Sequence, residues 1–477
     1  MKTYRYRVLV LGCKVNQYEA QEIREHLRDL GLQPAHGAEA ELQIIHGCAV
    51  TGSALRKTCR LARGALRAPG SRWVILTGCA AAVQNGELSR TLAGIVPSGR
   101  DFLRRLDEVL ADLGVIPREV TAQGKGISSF QERTRAIVKV QDGCDYRCSY
   151  CIVPLLRGAS RCRSAREVYD EVQRLAAAGY REIVISGVNV GNYAADSCDL
   201  AGLLEMLLEV PGIARIRLSS LHPRQLSHRL LNLWRTSDRL APHLHLPLQS
   251  GSDRILRLMR RDYSLSEYIA AVARAREYIR DPAITTDLMV GFPGETVGDF
   301  EHTVTAVREI GFARVHVFPF SPRPGTPAAE LPGRVQRSEI DYRSRLLRKT
   351  AFDAAMGFAQ RLVGMDETLI VENAGEFGAS GMIGRYLRTE VAGEYSAGMV
   401  IKVRIHGIRR GRSGPIAVAE VKAAAAPDAS RQPSQSYLHA FAKGSGTGVK
   451  AKLYVKDTGQ DGMGVVLRGS IPAHQAG

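Results

Sequence analysis

Residues Cys144 to Cys151 read CDYRCSYC, a C-x-x-x-C-x-x-C spacing directly behind the strand-like run AIVKV. Three thiolates on one short loop can converge on one metal centre. A structural zinc ion wants four ligands, but the next cysteine, Cys162, stands alone and no histidine follows at a local ligand spacing. A 4Fe-4S cluster held by three thiolates instead keeps one iron free for a small molecule. The spacing therefore favours an open cluster over zinc. Small buried cysteines with no function have no reason to crowd in this way.

Three further cysteines lie far apart in sequence but share a context. Cys13, Cys48 and Cys79 each follow a glycine and each close an apolar run: VLVLGC, LQIIHGC and VILTGC. The carboxyl ends of neighbouring parallel strands lie along one sheet edge, strands being about 4.8 Å apart, so the three could meet. Each would also stand near the start of a helix, whose dipole favours a thiolate. A second three-cysteine cluster is thus expected here. Cys59, Cys162 and Cys198 share none of this context and read as ordinary residues.

The elements that must position these cysteines follow from the apolar periodicity. A chain of 477 residues exceeds one compact core and predicts about three domains. Residues 1–125 alternate apolar strands with amphipathic helices, the first helix expected from Glu19 to Leu30, which is the pattern of a parallel α/β sheet. Over 126–358 the alternation restarts with six strands at βα spacing, a partial (β/α)6 barrel of TIM type, ending in a charged helix near Arg334 to Phe358. Residues 359–421 read as short strands between glycine turns, a small antiparallel β domain. Beyond them, 422–477 shift to Ala, Ser, Pro, Gln and Gly, the composition of a weakly ordered tail. The fold class is α/β with a terminal β module.

Lysine and arginine outnumber the acids by 65 to 48, a formal charge of +17, which favours a polyanionic partner over a merely solubilising surface. No stretch reaches membrane-spanning length, and Lys14 interrupts the first apolar run well short of a signal-peptide core. The expected location is the cytoplasm, where nine cysteines are read as reduced ligands rather than disulfide partners.

The CDYRCSYC loop resembles the signature of radical S-adenosylmethionine (SAM) enzymes. In these the open iron chelates SAM, and the reduced cluster cleaves it to a 5′-deoxyadenosyl radical. By the same likeness Tyr150 packs near the adenine. Gly187 and Asn189 in SGVNVGN, Gln249 in LPLQSGSD, and Gly291 and Glu295 in VGFPGET fall at strand ends, where a SAM site lies. The stretches LGCKVNQYEAQEI, DGCDYRCSYCIVPLLRG, LPLQSGSDRILRLMRRDY, TTDLMVGFPGET and FPFSPRPGTPA together resemble the methylthiotransferases over residues 1 to about 421.

That resemblance implies two 4Fe-4S clusters, one on Cys144, Cys148 and Cys151 that makes the radical and one on Cys13, Cys48 and Cys79 that carries sulfur. It implies SAM as radical source and methyl donor, and an electron donor such as flavodoxin or ferredoxin. The last domain resembles a TRAM domain, an OB-like RNA-binding fold. The expected partner is the anticodon stem-loop of tRNA, with Lys402, Arg404, Arg409, Arg410 and Arg412 on phosphates and Arg385, Tyr386 and Arg388 as weaker candidates. GCKVNQYEAQ and FPFSPRPGTPA look most like the branch acting on N6-threonylcarbamoyladenosine-37, because the isopentenyladenosine branch has glutamine-methionine where Lys14 and Val15 stand. Arg157 in PLLRG is a candidate partner for the threonyl carboxylate, a structural salt bridge being the other reading. Isopentenyladenosine or a ribosomal-protein side chain as acceptor, and an RNA-binding protein with structural metal clusters, remain as alternatives. Two departures stand out: His46 and Gly47 precede Cys48 in place of asparagine and threonine, and Ala82 replaces a glutamine three residues after Cys79. Both touch the hydrogen bonding around the N-terminal cysteines rather than the ligands themselves.

Overall fold

A computed structural model of the chain describes residues 4–36, 39–83, 90–99, 101–118, 126–130, 133–375 and 377–424. The tail expected from 422 lies, from 425 onward, outside the described residues.

The N-terminal sheet has five parallel strands in the order Gln33–Pro34, Arg5–Val10, Leu42–Gly47, Trp73–Gly78, Gly94–Pro97. LQIIHG and WVILTG are buried at every position, as expected for strands covered on both faces. The strands that deliver Cys13, Cys48 and Cys79 are therefore adjacent. Gly47 and Gly78 are register partners, and a Cβ on Gly78, whose φ is +85°, would lie 2.6 Å from the Gly47 carbonyl oxygen. The glycine before the cysteine is thus what lets these strand ends close together.

The first helix spans Lys14–Asp29, starting five residues before the expected Glu19, with Cys13 at its N-cap. No side chain caps it and no acid sits in its first turn, so no local signal marks the start. Tertiary contacts hold it instead. Tyr18 belongs to the apolar core of the barrel and donates its hydroxyl to Glu171 at 3.1 Å. Lys139, on the first barrel strand, reaches back to Glu19 at 3.1 Å.

The barrel strands are Arg135–Lys139, Glu182–Ser186, Arg215–Leu218, His243–His245, Ala283–Val290 and Arg314–Pro319. They form two parallel three-stranded sheets in chain order, joined through single bridges at Ile216–Leu240 and Ser220–His245. Among the described residues the first and last strands do not pair, leaving the partial barrel open on one side.

The charged helix spans Arg337–Gln360 and leads into a closed five-stranded barrel, Asp366–Gly375, Gly378–Ile383, Arg388–Ala392, Val400–Gly411 and Gly414–Ala424. Its pairings are antiparallel except one: Arg388–Ala392 runs parallel to Gly414–Ala424, and this pairing closes the ring. That last strand escaped the sequence reading, because GPIAVAEV alternates only weakly and merges with the alanine run behind it. Two buried arginines lock the module to the (β/α)6 barrel. Arg217 donates to the Gly384 and Ile383 carbonyls at 2.9 and 3.1 Å, Arg215 to the Met382 carbonyl at 2.9 Å, and both pair with the fully buried Glu182. No described helix is long and apolar enough to cross a membrane.

Candidate functional site

The CDYRCSYC loop leaves the first barrel strand through Gln141 and Asp142. Gln141 fixes it from inside: its amide donates to the Gly143 carbonyl at 2.8 Å and to Ser160 Oγ at 2.9 Å, and its Oε1 accepts from Asn189 N–H at 2.9 Å. A Cβ on Gly187 would lie 2.8 Å from that same oxygen, so the glycine of SGVNVGN makes room for Gln141. Sequence reasoning missed Gln141, since a lone glutamine after a strand carries no signal.

Cys144, Cys148 and Cys151 are partly buried and their thiols lie within electrostatic reach of one another. Burial, then the neighbouring thiols, push Cys151 up to about 12 against the pull of the Val153 N–H. Arg261 Nη1 points at Cys148 Sγ at 3.5 Å, its other nitrogens held by Tyr263 Oη at 2.9 and 3.0 Å. On the far side His222 stacks on Tyr146 of the loop, ring centroids 4.8 Å apart.

Cys13, Cys48 and Cys79 form the second set, again mutually perturbed. Cys13 is exposed and its thiol donates to Asn16 Oδ1 at 3.4 Å, whereas Cys48 and Cys79 are buried. Burial pushes Cys79 up to about 12 and raises Cys48 as well. The helix-dipole expectation fails for these two, because desolvation outweighs a dipole; Cys79 opens only a four-residue 3-10 turn. A metal held there would have to displace the thiol protons.

The two sets share a wall. The short helix Val153–Arg157 begins two residues after Cys151, and Arg157, 4% exposed, donates from Nε to Cys79 Sγ at 3.1 Å. Its Nη1 donates to Glu19 and Asp142, both at 2.9 Å, and its Nη2 to Glu19 at 3.0 Å and Asn16 at 3.2 Å. The salt-bridge reading of Arg157 therefore holds, and the substrate-carboxylate reading is corrected: no N–H of its fork is left to receive a ligand. Burial opposes ionisation of Glu19, but Lys139 and Arg157 hold its carboxyl well below the usual range. His46 Nε2 adds a contact to Glu19 at 3.0 Å and Ser98 Oγ another at 3.1 Å. His46 thus takes up a place in the scaffold behind the cysteines.

Of the remaining SAM-site candidates, Tyr150 packs with Ile255, Met259, Phe292 and Ala328. Gln249 adopts φ +72°, its backbone bonded to Asp287 and Met289. Gly291, at φ +74°, donates its N–H to Glu295 Oε2 at 2.7 Å, and the same oxygen accepts from Arg343 Nη1 at 2.8 Å. Glu295 therefore locks the FPGET turn to the helix Arg337–Gln360. In the β module Arg404 pairs with Asp366, Arg409 with Glu390 and Arg385 with Glu367, and Lys402 donates to Thr368 Oγ1. Arg388 donates to Ser380, Tyr386 stacks on His243, and Arg410 lies over the Phe352 ring. Arg412 is exposed and has no ion pair among the described residues.

The donor sets fit 4Fe-4S clusters. Each offers three thiols and one guanidinium, Arg157 buried and Arg261 half-buried, to offset cluster charge, and N–H groups on cluster sulfur tune its potential. Among the described residues no three His, Cys, Asp or Glu side chains close on a single-ion site.

Two family models match, the radical SAM superfamily over residues 138–307 and uncharacterized protein family UPF0004 over 5–96. Each encloses one cysteine set. The chain is 36% identical over 379 residues to a Thermotoga maritima protein named threonylcarbamoyladenosine tRNA methylthiotransferase MtaB, covering 78% of this chain and 87% of that one. It is 32% identical over 428 residues to tRNA-2-methylthio-N(6)-dimethylallyladenosine synthase of Pelotomaculum thermopropionicum, covering 85% and 96%. In fold it is similar to the radical SAM methyltransferase TsrM of Kitasatospora setae, with a TM-score of 0.51 at 13% identity over 69% of this chain and 77% of that one. With its two enclosed cysteine sets and this degree of identity over most of both chains, the protein belongs to the radical SAM methylthiotransferases, in their MtaB-like branch.

Proposed function

We propose that the enzyme methylthiolates carbon 2 of N6-threonylcarbamoyladenosine beside the anticodon of tRNA, with one cluster on Cys144, Cys148 and Cys151 and a second on Cys13, Cys48 and Cys79. The observation that carries the reading is Arg157, which leaves the radical-cysteine loop and touches Cys79 of the other set. A reaction that abstracts hydrogen at one centre and delivers sulfur from another needs the two held at a fixed separation, and this arginine spans them. When bound, an open cluster with SAM supplies the hydrogen-abstracting radical, and the second cluster supplies sulfur.

The protein's own groups hold the parts in place. Gln141 and Asn189 fix the entry of the radical loop, and Arg261 keeps Cys148 oriented. Glu19 aims Arg157, with His46, Ser98 and Lys139 aiming Glu19. Tyr150, which packs with Phe292 and Ala328, would by the family likeness flank the adenine of SAM. The external electron donor is a small low-potential protein of the flavodoxin or ferredoxin class.

The acceptor rests on the likeness to the Thermotoga protein, and the Pelotomaculum relative favours a second reading with an isopentenyl-type substituent. A direct competition separates them. Reconstituted enzyme receives tRNA carrying one modification or the other, and 2-methylthio nucleosides are quantified by mass spectrometry. Preferential conversion of the threonylcarbamoyl form is expected; preference for the isopentenyl form would overturn the acceptor.

A further inference from the structure

The loop Phe320 to Ala329 joins the two cysteine-bearing regions by hydrogen bonds at its two ends. At one end Ser321 Oγ accepts from the N–H of Gly52, which opens the helix behind Cys48. At the other, Ala328 N–H donates to the carbonyl of Ser149, between Cys148 and Tyr150, at 2.8 Å. The loop therefore touches both cysteine-bearing regions.

Inside the loop stands Arg323, a cation only 5% exposed. Its Nε and Nη2 have no hydrogen-bond acceptor among the described residues, and no described acid pairs with it. Other buried arginines named above, Arg157, Arg215, Arg217 and Arg343, each meet a carboxylate. A guanidinium withdrawn from water without an acceptor is costly, and the cost is removed by an incoming oxyanion that matches its fork. The Nη1 end lies toward Gly52, on the Cys48 side of the loop. Large apolar side chains are exposed on each flank: Val50 behind Cys48, Leu155 behind Cys151 and Phe318 before the loop. Leu155 Cδ1 would lie 3.2 Å from a Cβ on Gly325, which brings one of them onto the loop itself. A cationic fork with apolar surface beside it suits a nucleotide, whose base has a flat apolar face and whose substituents carry oxyanions.

We infer that Arg323 is a substrate-binding, specificity-determining residue that takes an oxyanion of the acceptor nucleotide through its free Nε and Nη2. This deepens the acceptor assignment above and rests on it for one of two sources: the carboxylate of a threonylcarbamoyl group, or the phosphodiester beside the target base. Arg157 cannot serve, being saturated by Glu19, Asp142 and Asn16.

The test measures binding without turnover. Full-length reconstituted protein, wild type, Arg323→Gln and Arg323→Lys, is titrated anaerobically and without reductant. The probes are fluorescent anticodon stem-loops carrying adenosine, N6-threonylcarbamoyladenosine or its carboxyl methyl ester. Arg323→Gln is expected to weaken binding by roughly tenfold or more, the scale of a charge-assisted hydrogen-bonded pair, and Arg323→Lys by less, since a lysine restores charge but no fork. Loss confined to the free carboxylate assigns that source; equal loss on all three loops assigns the phosphodiester. Unchanged affinity of both variants for all three loops overturns the proposal, as does a change only in the electron paramagnetic resonance spectrum of the N-terminal cluster, which would make Arg323 a cluster-tuning group. Iron content and thermal melting of each variant report whether it folds. A wild-type enzyme that prefers isopentenyl tRNA removes the acceptor assignment and the carboxylate source, while the loss on the unmodified loop still decides the role of Arg323.

Discussion

Replacing Cys148 with alanine is expected to abolish SAM cleavage, leaving no 5′-deoxyadenosine above background after anaerobic reconstitution and reduction. Cys148 is the central cysteine of the radical loop and the one Arg261 addresses. Its loss leaves two thiolates for a cluster that needs three to hold its geometry, together with a half-buried guanidinium that has lost its sulfur. The effect should be all or none, because the radical step has no substitute among side chains. The N-terminal set should behave in the opposite sense. Changing Cys13, Cys48 and Cys79 together to alanine is expected to preserve 5′-deoxyadenosine formation while eliminating the methylthio nucleoside, since those cysteines sit on a different sheet with its own core. Normal 5′-deoxyadenosine yield from Cys148→Ala would sink the first assignment. Methylthio product from the triple variant would sink the second.

What made these assignments legible in the sequence was spacing in one case and periodicity in the other. CDYRCSYC announces itself because three cysteines in eight residues leave few alternatives. Cys13, Cys48 and Cys79 become neighbours only once three apolar runs are read as adjacent parallel strands, and the observed order, Arg5–Val10 beside Leu42–Gly47 beside Trp73–Gly78, places them so. The supporting polar groups left no such trace. Glu19 and Arg157 are 138 positions apart, Gln141 and Asn189 are 48 apart, and Arg261 is 113 from Cys148. Contacts of that kind are made by packing of domains, and a single buried polar residue has no period to betray it. The same holds for the start of the first helix, set by Cys13 and by Tyr18 in the barrel core rather than by a cap. In the β module the basic residues were visible, but not that Arg404 and Arg409 are paired with Asp366 and Glu390.

Exchange of Arg157 for methionine, which keeps most of the side-chain volume, is expected to destabilise the protein by about 3–5 kcal/mol, the cost of leaving a buried partner charge uncompensated. Glu19 is the reason. Its side chain is 0% exposed and loses both oxygens' contacts to the fork, retaining Lys139, His46 and Ser98. The pH dependence should change with it. In the wild type the folded carboxyl lies below its ordinary 4.5, because Lys139 and Arg157 overcome burial, so its stabilising contribution is present above pH 4.5 and lost as pH falls below it. Without Arg157 burial gains against Lys139 and His46, the carboxyl moves upward, and the acid-side loss of stability becomes shallower. Adding Glu19→Gln to Arg157→Met should therefore return part of the lost stability, a coupling that a double-mutant cycle in denaturant reads directly. The same single variant separates scaffold from chemistry. It keeps all six cysteines, so 5′-deoxyadenosine should still form, while methylthio product falls because the Val153–Arg157 helix no longer holds Cys79 against the radical loop. If Arg157→Met unfolds at the wild-type denaturant concentration, the buried pair carries no stability. If it also makes product at the wild-type rate, the two cysteine sets are held together by something other than this arginine.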